Sequence, residues 1–335
     1  MRIGVLAFAT ETGLGYQAKS YIKHLPVTKV LELDSSLFHK NLTRQNWYKR
    51  SNRVKGFPED KTLDKFVKDL DIVLFAETPI NDKIYEIARA NNVKTVNVVN
   101  WEFFDNTTKD KKLLPDAIIM PSKWYAEEAN KFCKAAGIKV FQLHHPVDRE
   151  VFQFSLRNSR KHFHLAGRPT TEYDRNGTQD YLSAYPEGAV TIQKDSMAQR
   201  LKIQYPNARI LTNLEHSELY NSGDILVLPR QYGGNCLPLN EALSCGLPVI
   251  MPDVSPNNSF LPGEWLVQLE SSELIDLGSK IELNKVSIDS MKQTVSAVAS
   301  NTVKHSMYAN ELAANISWEV MRKQYIDVFE DIISN

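Results

Sequence analysis

Cysteine is scarce in this chain: three residues, Cys133, Cys236 and Cys245, among 335. An odd number without metal-ligand spacing argues against a disulfide framework or a thiolate zinc site, and is expected of reduced thiols in a cytoplasmic protein. Net charge is lacking too, with 40 Lys plus Arg against 40 Asp plus Glu. Any attraction to a polyanion must therefore come from a local patch. No apolar run reaches the about 18 residues that a membrane span needs. The opening MRIGVLAFAT has only a short apolar run and no small-residue cleavage site, so it reads as a strand rather than a signal peptide. Internal repeats and low-complexity tracts are missing as well.

What is present is alternation. RIGVLAFA, VTKVLELD, DIVLFAE, KTVNVVNWE, DAIIMPS and KVFQLHHP are short apolar strands, and helical segments stand between most of them. After a polar join, HPVDREVFQFSLRNSR, the pattern restarts with KHFHLAGR, AVTIQK, ARILTNL, DILVLP, PVIMP and EWLVQLE, with SELYNSG read as a helix. Repeated strand–helix units demand parallel sheets covered by helices on both faces. The expectation is α/β: two Rossmann-like, doubly wound domains over 1–152 and 160–315 facing a cleft, with an amphipathic helix at 316–335 crossing back to the first. Ligands in such sheets lie beyond the strand carboxyl ends.

The most informative stretch is PRQYGGNCLPLNEALSCGLPVIMPD, Pro229–Asp253. A Gly-rich bend opening a helix offers backbone N–H groups and the positive end of the helix dipole to a phosphate. Glu241, one turn further in, is placed to accept hydrogen bonds from ribose hydroxyls.

This stretch resembles the donor site of GT-B glycosyltransferases, in particular the retaining glycosyltransferase family 4. Four further segments are similar, in the same order: TGLGYQAK at Thr12–Lys19, the segment Pro121–Phe152 that closes with Val147, Asp148 and Phe152, LAGRPTTEYDRNG at Leu165–Gly177, and ISWEVMRKQYIDVF at Ile316–Phe329. The resemblance implies transfer of a sugar from a nucleotide sugar, a UDP-sugar by preference, to an acceptor hydroxyl with retention, without metal or other cofactor. Asp69 and Asp71 form a D-x-D, but at a helix–strand junction where no metal is expected. It also implies site roles. Gly13 and Gly15 belong to a loop of the first domain that contributes to donor binding. Arg168 clamps the diphosphate, Gly234, Asn235 and Cys236 donate backbone N–H groups, and Glu241 holds the ribose. Two positions depart from the pattern. The family's Lys is Asn176 here, with Arg175 beside it as a substitute charge. A family Glu that touches the donor sugar is Gly233, leaving Tyr232 or Asn235 as replacements.

For the acceptor, Glu77, Asn100 and Glu102 follow strands of the first half, with Trp101 among them, and either Glu is a candidate to deprotonate or orient a hydroxyl. The stretch from Ser35 to Pro58 carries six basic residues, including Lys49, Arg50 and Arg53, with Trp47 and Tyr48 interleaved and no acid. That pattern suits a phosphate backbone and stacked bases, so duplex DNA bearing a hydroxymethyl pyrimidine is one expected acceptor. A cell-envelope glycan, lipid or small molecule is the other. A non-catalytic nucleotide- or nucleic-acid-binding module is the reading outside enzymes, motivated by Gly233.

Overall fold

The computed structural model describes residues 1–34, 43–77, 79–167, 174–192, 195–276 and 280–334, with backbone alone at 106–107 and 195–197. Arg168 and the part of the basic stretch at 35–42 lie outside the described residues. The chain divides into two units, Met1–His145 with Trp318–Asn335, and Pro146–Ser317.

Unit 1 runs β1 (Ile3–Phe8), α1 (Gly13–His24), β2 (Val27–Leu33), β3 (Asn52–Arg53), α2 (Asp60–Val67), β4 (Ile72–Ala76), α3 (Ile84–Ala90), β5 (Lys94–Val98), β6 (Ala117–Met120), α4 (Ala126–Ala135) and β7 (Lys139–Gln142). Its seven strands are ordered β3-β2-β1-β4-β5-β6-β7 and all pairings are parallel. Successive side chains of a strand point to opposite faces, and both faces here are apolar. Ile3, Val5, Ala7, Ile72, Leu74, Val96 and Val98 meet α1. Leu6, Phe8, Val73 and Phe75 meet Leu63, Phe66 and Val67 of α2 and Ile84, Tyr85 and Ala88 of α3. Strands buried on both sides are why the sequence shows unbroken apolar runs.

Unit 2 runs β8 (His162–Leu165), α5 (Thr178–Ala184), β9 (Ala189–Thr191), α6 (Asp195–Gln204), β10 (Arg209–Leu211), β11 (Ile225–Val227), α7 (Leu237–Ser244), β12 (Val249–Pro252), β13 (Leu266–Val267), β14 (Leu269–Asp276), β15 (Lys280–Val286), α8 (Ile288–Ala299) and α9 (Thr302–Asn315). Its parallel sheet is ordered β10-β9-β8-β11-β12-β13, the same winding as unit 1. One core serves it, built on Phe163, Tyr181, Leu226, Leu243, Ile250 and Trp265.

The last helix, α10 (Trp318–Ser334), belongs to unit 1. It lays Trp318, Met321, Tyr325, Phe329 and Ile332 on the core under α1. Those residues recur at three or four positions, one face of a helix. The Trp318 indole donates to Ser20 Oγ at 2.7 Å and the Tyr325 hydroxyl to the His144 carbonyl at 3.1 Å.

Two elements differ from expectation. SELYNSG forms a 3₁₀ turn, His216–Tyr220, closed by a capping box between Glu215 and Glu218, rather than an α-helix. The segment read as one strand, EWLVQLE, is a 3₁₀ turn at Gly263–Trp265 followed by the short β13, and the chain then forms an antiparallel hairpin, β14 with β15. Burial in β15 alternates, with Ile281 and Leu283 inward. The Asn284 N–H donates to the Gln231 carbonyl at 2.9 Å and so ties the hairpin to the loop after β11.

Candidate functional site

In each sheet the winding reverses at one pair of strands, β8 and β11 in unit 2 and β1 and β4 in unit 1. Loops leaving such a pair diverge and leave a crevice at the strand carboxyl ends. In unit 2 these loops begin after Leu165 and Val227. They are tied by the Gln231 N–H, which donates to the Arg175 carbonyl at 2.9 Å. Gly177, at φ +71°, passes so close to Pro229 that a Cβ would lie 2.1 Å from the Pro229 carbonyl oxygen. Only glycine fits there.

Beneath the loops, buried His164 joins both strands to α5. Its Nδ1 donates to the Val227 carbonyl at 2.8 Å, and its Nε2 accepts from Thr178 Oγ1 at 3.0 Å. Burial pushes its pKa down to about 4, so the ring is neutral with its proton on Nδ1. Asn176 is buried and donates to the Leu165 carbonyl at 2.9 Å, which makes it a tie within the fold. Arg175 stacks on the Tyr232 ring at 4.8 Å.

Next along the chain, Gly233 to Cys236 lead into α7. Gly233 has φ +120°, a region that disfavours every L side chain, and α7 begins after Cys236 without a side-chain cap. Glu241 is buried in the second turn of α7. One carboxylate oxygen, Oε2, accepts from the Tyr220 hydroxyl and lies 3.1 Å from His216 Nε2. Among the described residues nothing donates to the other oxygen, Oε1. Burial, then the adjacent Glu241, holds the Tyr220 hydroxyl well above its ordinary pKa, so it stays a donor. Phe152, from the segment following the first unit, packs edge-to-face with both His216 and Tyr220. The carboxylate is thus fixed at one oxygen from a separate turn.

The sequence reading missed three residues here. His216 and Tyr220 carried no signal, because they meet Glu241 across more than twenty positions. Arg230 did carry one: a cation directly after the apolar DILVLP. Its guanidinium is buried, with 7% exposure. Nη2 donates to the Asn235 carbonyl at 3.2 Å, Nη1 approaches Cys236 Sγ at 3.6 Å, and buried Nε has no partner. A Cβ at Gly233 would lie 2.2 Å from Arg230 Nη2. The guanidinium therefore fills the space a side chain at position 233 would take.

In unit 1 the corresponding loops hold Gly13, Gly15 and Glu77. Thr12 caps α1, its Oγ1 accepting from the Gly15 N–H at 3.0 Å, and a Cβ at Gly15 would lie 2.0 Å from the Thr10 carbonyl oxygen. Gly13 faces open space. Glu77 is buried at φ +74°, and its Oε1 accepts from the Asn100 amide at 2.9 Å. Glu102 is buried nearby in sequence, on the 3₁₀ turn Trp101–Phe103. Trp101 stacks on Phe104 and tilts over Tyr125, itself at φ +52°. The Trp101 indole N–H and the Asn100 amide oxygen are buried and without hydrogen-bond partners. A one-turn π-helix, Asp105–Lys109, follows. Left-handed non-glycine residues, orphaned polar atoms and π-turns each cost stability and gather at functional sites.

Part of the basic stretch is tied into the fold through Glu32. Glu32, 1% exposed, accepts from Arg44, including Nη2 at 2.9 Å, and from Ser51 Oγ at 2.9 Å, with Arg53 at 3.9 Å. Tyr48 is buried and donates to the Phe8 carbonyl at 3.4 Å. Trp47 packs on Tyr16 at 5.2 Å, with Lys19 4.5 Å over its ring. Lys49 and Arg50 are exposed.

Among the described residues there is no group of three metal-ligating side chains, and no helix is long and apolar enough to cross a membrane. A cavity of about 330 Å³, lined by Lys94, Asp116 and Lys139, lies at the amino ends of β5, β6 and β7, the end of the sheet opposite Glu77.

Among solved structures the chain is similar to sucrose-phosphate synthase from Thermosynechococcus elongatus, at 12% identity over 100% of this chain and 99% of that one, with a TM-score of 0.67. It is equally similar to Anabaena Alr3699/HepE in complex with UDP, at 10% identity over 99% and 100%, TM-score 0.67. The fold is GT-B. A third GT-B structure, the pneumococcal O-GlcNAc transferase GtfA in complex with UDP and GlcNAc, matches at 17% identity and TM-score 0.59 over 82% of this chain. The chain spans 60% of that relative's length, about three fifths. No protein-family model matches the chain, and no curated protein does.

Proposed function

We propose that the protein is a glycosyltransferase that takes a sugar from a UDP-sugar. The observation that carries this reading is Glu241, buried on α7 with one oxygen fixed by Tyr220 and His216 and the other left to a ligand. It stands behind a glycine bend at the winding reversal of its sheet. The ribose hydroxyls donate to Glu241 Oε1, and the diphosphate lies at the amino end of α7, where the helix dipole favours negative charge. Arg168 adds its guanidinium in this reading, with Arg175 beside Tyr232. GT-B relatives with UDP in their crystals support the choice of nucleotide.

Unit 1 presents the acceptor, with retention and a donor phosphate oxygen taking the acceptor proton. The sugar–phosphate bond breaks, the sugar–acceptor bond forms, and the nucleoside diphosphate leaves with that proton. Glu77, Asn100 and Glu102 orient the hydroxyl. The orphaned Asn100 oxygen and Trp101 N–H beside an aromatic face suit a polyhydroxylated acceptor, such as a glycan, better than a DNA base. Among the described residues, exposed Lys49, Arg50 and Lys55 remain in favour of duplex DNA, since Arg44, Arg53, Trp47 and Tyr48 have partners within the fold. A duplex gel shift at low salt that Lys49→Ala with Arg50→Ala abolishes would reinstate DNA.

A thermal-shift panel of UDP-, GDP- and ADP-sugars tests the donor. A specific nucleotide at a hundredfold excess over its Kd adds about 2.7 kcal/mol of stability. UDP-sugars are expected to give that shift in the wild type and none in Glu241→Ala. An unchanged shift in the variant removes Glu241 from the site. Release of labelled sugar from any bound donor separates the enzyme from a silent binding module.

A further inference from the structure

We propose that Arg230 selects a donor whose sugar carries a carboxylate, a nucleoside-diphosphate uronic acid. The inference rests on the donor reading above and specifies the sugar. Arg230 is nine-tenths buried, and among the described residues no carboxylate pairs with it. Its partners are one backbone carbonyl and one thiol, both uncharged, and Nε has none. Burying a guanidinium costs several kcal/mol unless an anion compensates it. A buried cation held only by neutral acceptors is therefore a site short of an anion.

Its place along the site says which anion. The chain meets Arg230 and Gly233 first, then the amino end of α7, then Glu241. A nucleotide sugar with its ribose on Glu241 and its diphosphate at α7 brings its sugar to Gly233. Gly233 has no side chain, and the guanidinium stands where its Cβ would be. The group facing the sugar is thus a forked cation. Neutral sugar hydroxyls offer it only uncharged acceptors, whereas a carboxylate at C6 of the sugar matches its fork bidentately with opposite charge. Gly233 makes this possible, because any side chain there would displace Arg230.

Calorimetric titration of wild type and Arg230→Gln with UDP, UDP-glucose and UDP-glucuronate tests the proposal. Wild type is expected to bind UDP-glucuronate at least about tenfold more tightly than UDP-glucose, the worth of one charge-assisted pair. Arg230→Gln is expected to remove that preference while its affinity for UDP stays within about twofold, which also reports an intact fold. Equal wild-type affinities for the two sugars overturn the uronate assignment and leave the donor reading standing. A preference that survives in Arg230→Gln overturns it too, as does a variant that loses UDP and both sugars alike, since the arginine then serves the diphosphate or the loop. If Arg230→Gln is unfolded by circular dichroism, Arg230→Lys is titrated instead, and its preference is expected to fall because an ammonium lacks the fork; an undiminished one overturns the assignment. Failure of wild type to bind UDP at all overturns the donor reading, and this inference with it.

Discussion

At the residue scale, the donor loop is a contest for one small volume. Arg230 and a side chain at position 233 cannot both occupy it: the Cβ direction of Gly233 ends 2.2 Å from Nη2, and φ is +120°. Gly233→Ala is expected to cost more than the about 1–3 kcal/mol of backbone strain alone, because the guanidinium must move as well. In an Arg230→Ala background the collision is gone and only the strain remains. Urea unfolding of the four proteins in that cycle should therefore show Gly233→Ala costing less when Arg230 is absent. Strict additivity would mean that the two positions do not share the space.

Single elements are fastened by a few buried polar ties, and two of these can be read out. His164 links β8, β11 and α5 as a neutral ring. Its ordinary pKa of 6.5 falls to about 4 in the folded chain. Between those values the unfolded chain binds a proton that the folded chain refuses. The stability is whole above pH 6.5 and declines by about 1.4 kcal/mol per pH unit towards pH 4. His144, His162 and His305 are shifted the same way by burial and add to the slope. His164→Gln should flatten the curve of stability against pH by about one proton; an identical slope would contradict the neutral assignment. The second tie is Trp318, which starts α10 and is 2% exposed. Trp318→Ala is expected to cost about 3–5 kcal/mol in urea unfolding; a loss below about 1 kcal/mol would show that α10 does not depend on it. Elements of this kind differ in how well the sequence announces them. The buried parallel strands were legible as apolar runs, and α10 as a three-to-four periodicity. The β14–β15 hairpin was not, because one of its strands is exposed along nearly its whole length and has no apolar alternation to read. In the loops, Gly233 and Glu241 are candidates that local chemistry alone singles out. Their partners Arg230, Tyr220 and His216 depend on how the chain folds back, which spacing alone does not encode.

At the scale of the whole molecule, the protein is one winding used twice, and the two copies are equipped differently. Unit 2 places a fixed carboxylate, a glycine bend and a buried guanidinium at the reversal of its sheet. Unit 1 places Glu77 at the reversal of its own, with the Asn100 amide donating to it from the loop after β5, followed in the chain by Glu102 and a strained aromatic segment. Equal numbers of acids and bases, 40 of each, leave no global field to gather a polyanion. In the proposed function recognition rests on these local sets, and its central claim is that the set in unit 2 holds a nucleoside diphosphate. The most direct measurement is the crystal structure of the complex with UDP. Ribose hydroxyls are expected within hydrogen-bond distance of Glu241 Oε1, with the diphosphate against the amino end of α7. Nucleotide density anywhere else, or a ribose that leaves Glu241 untouched, would contradict it.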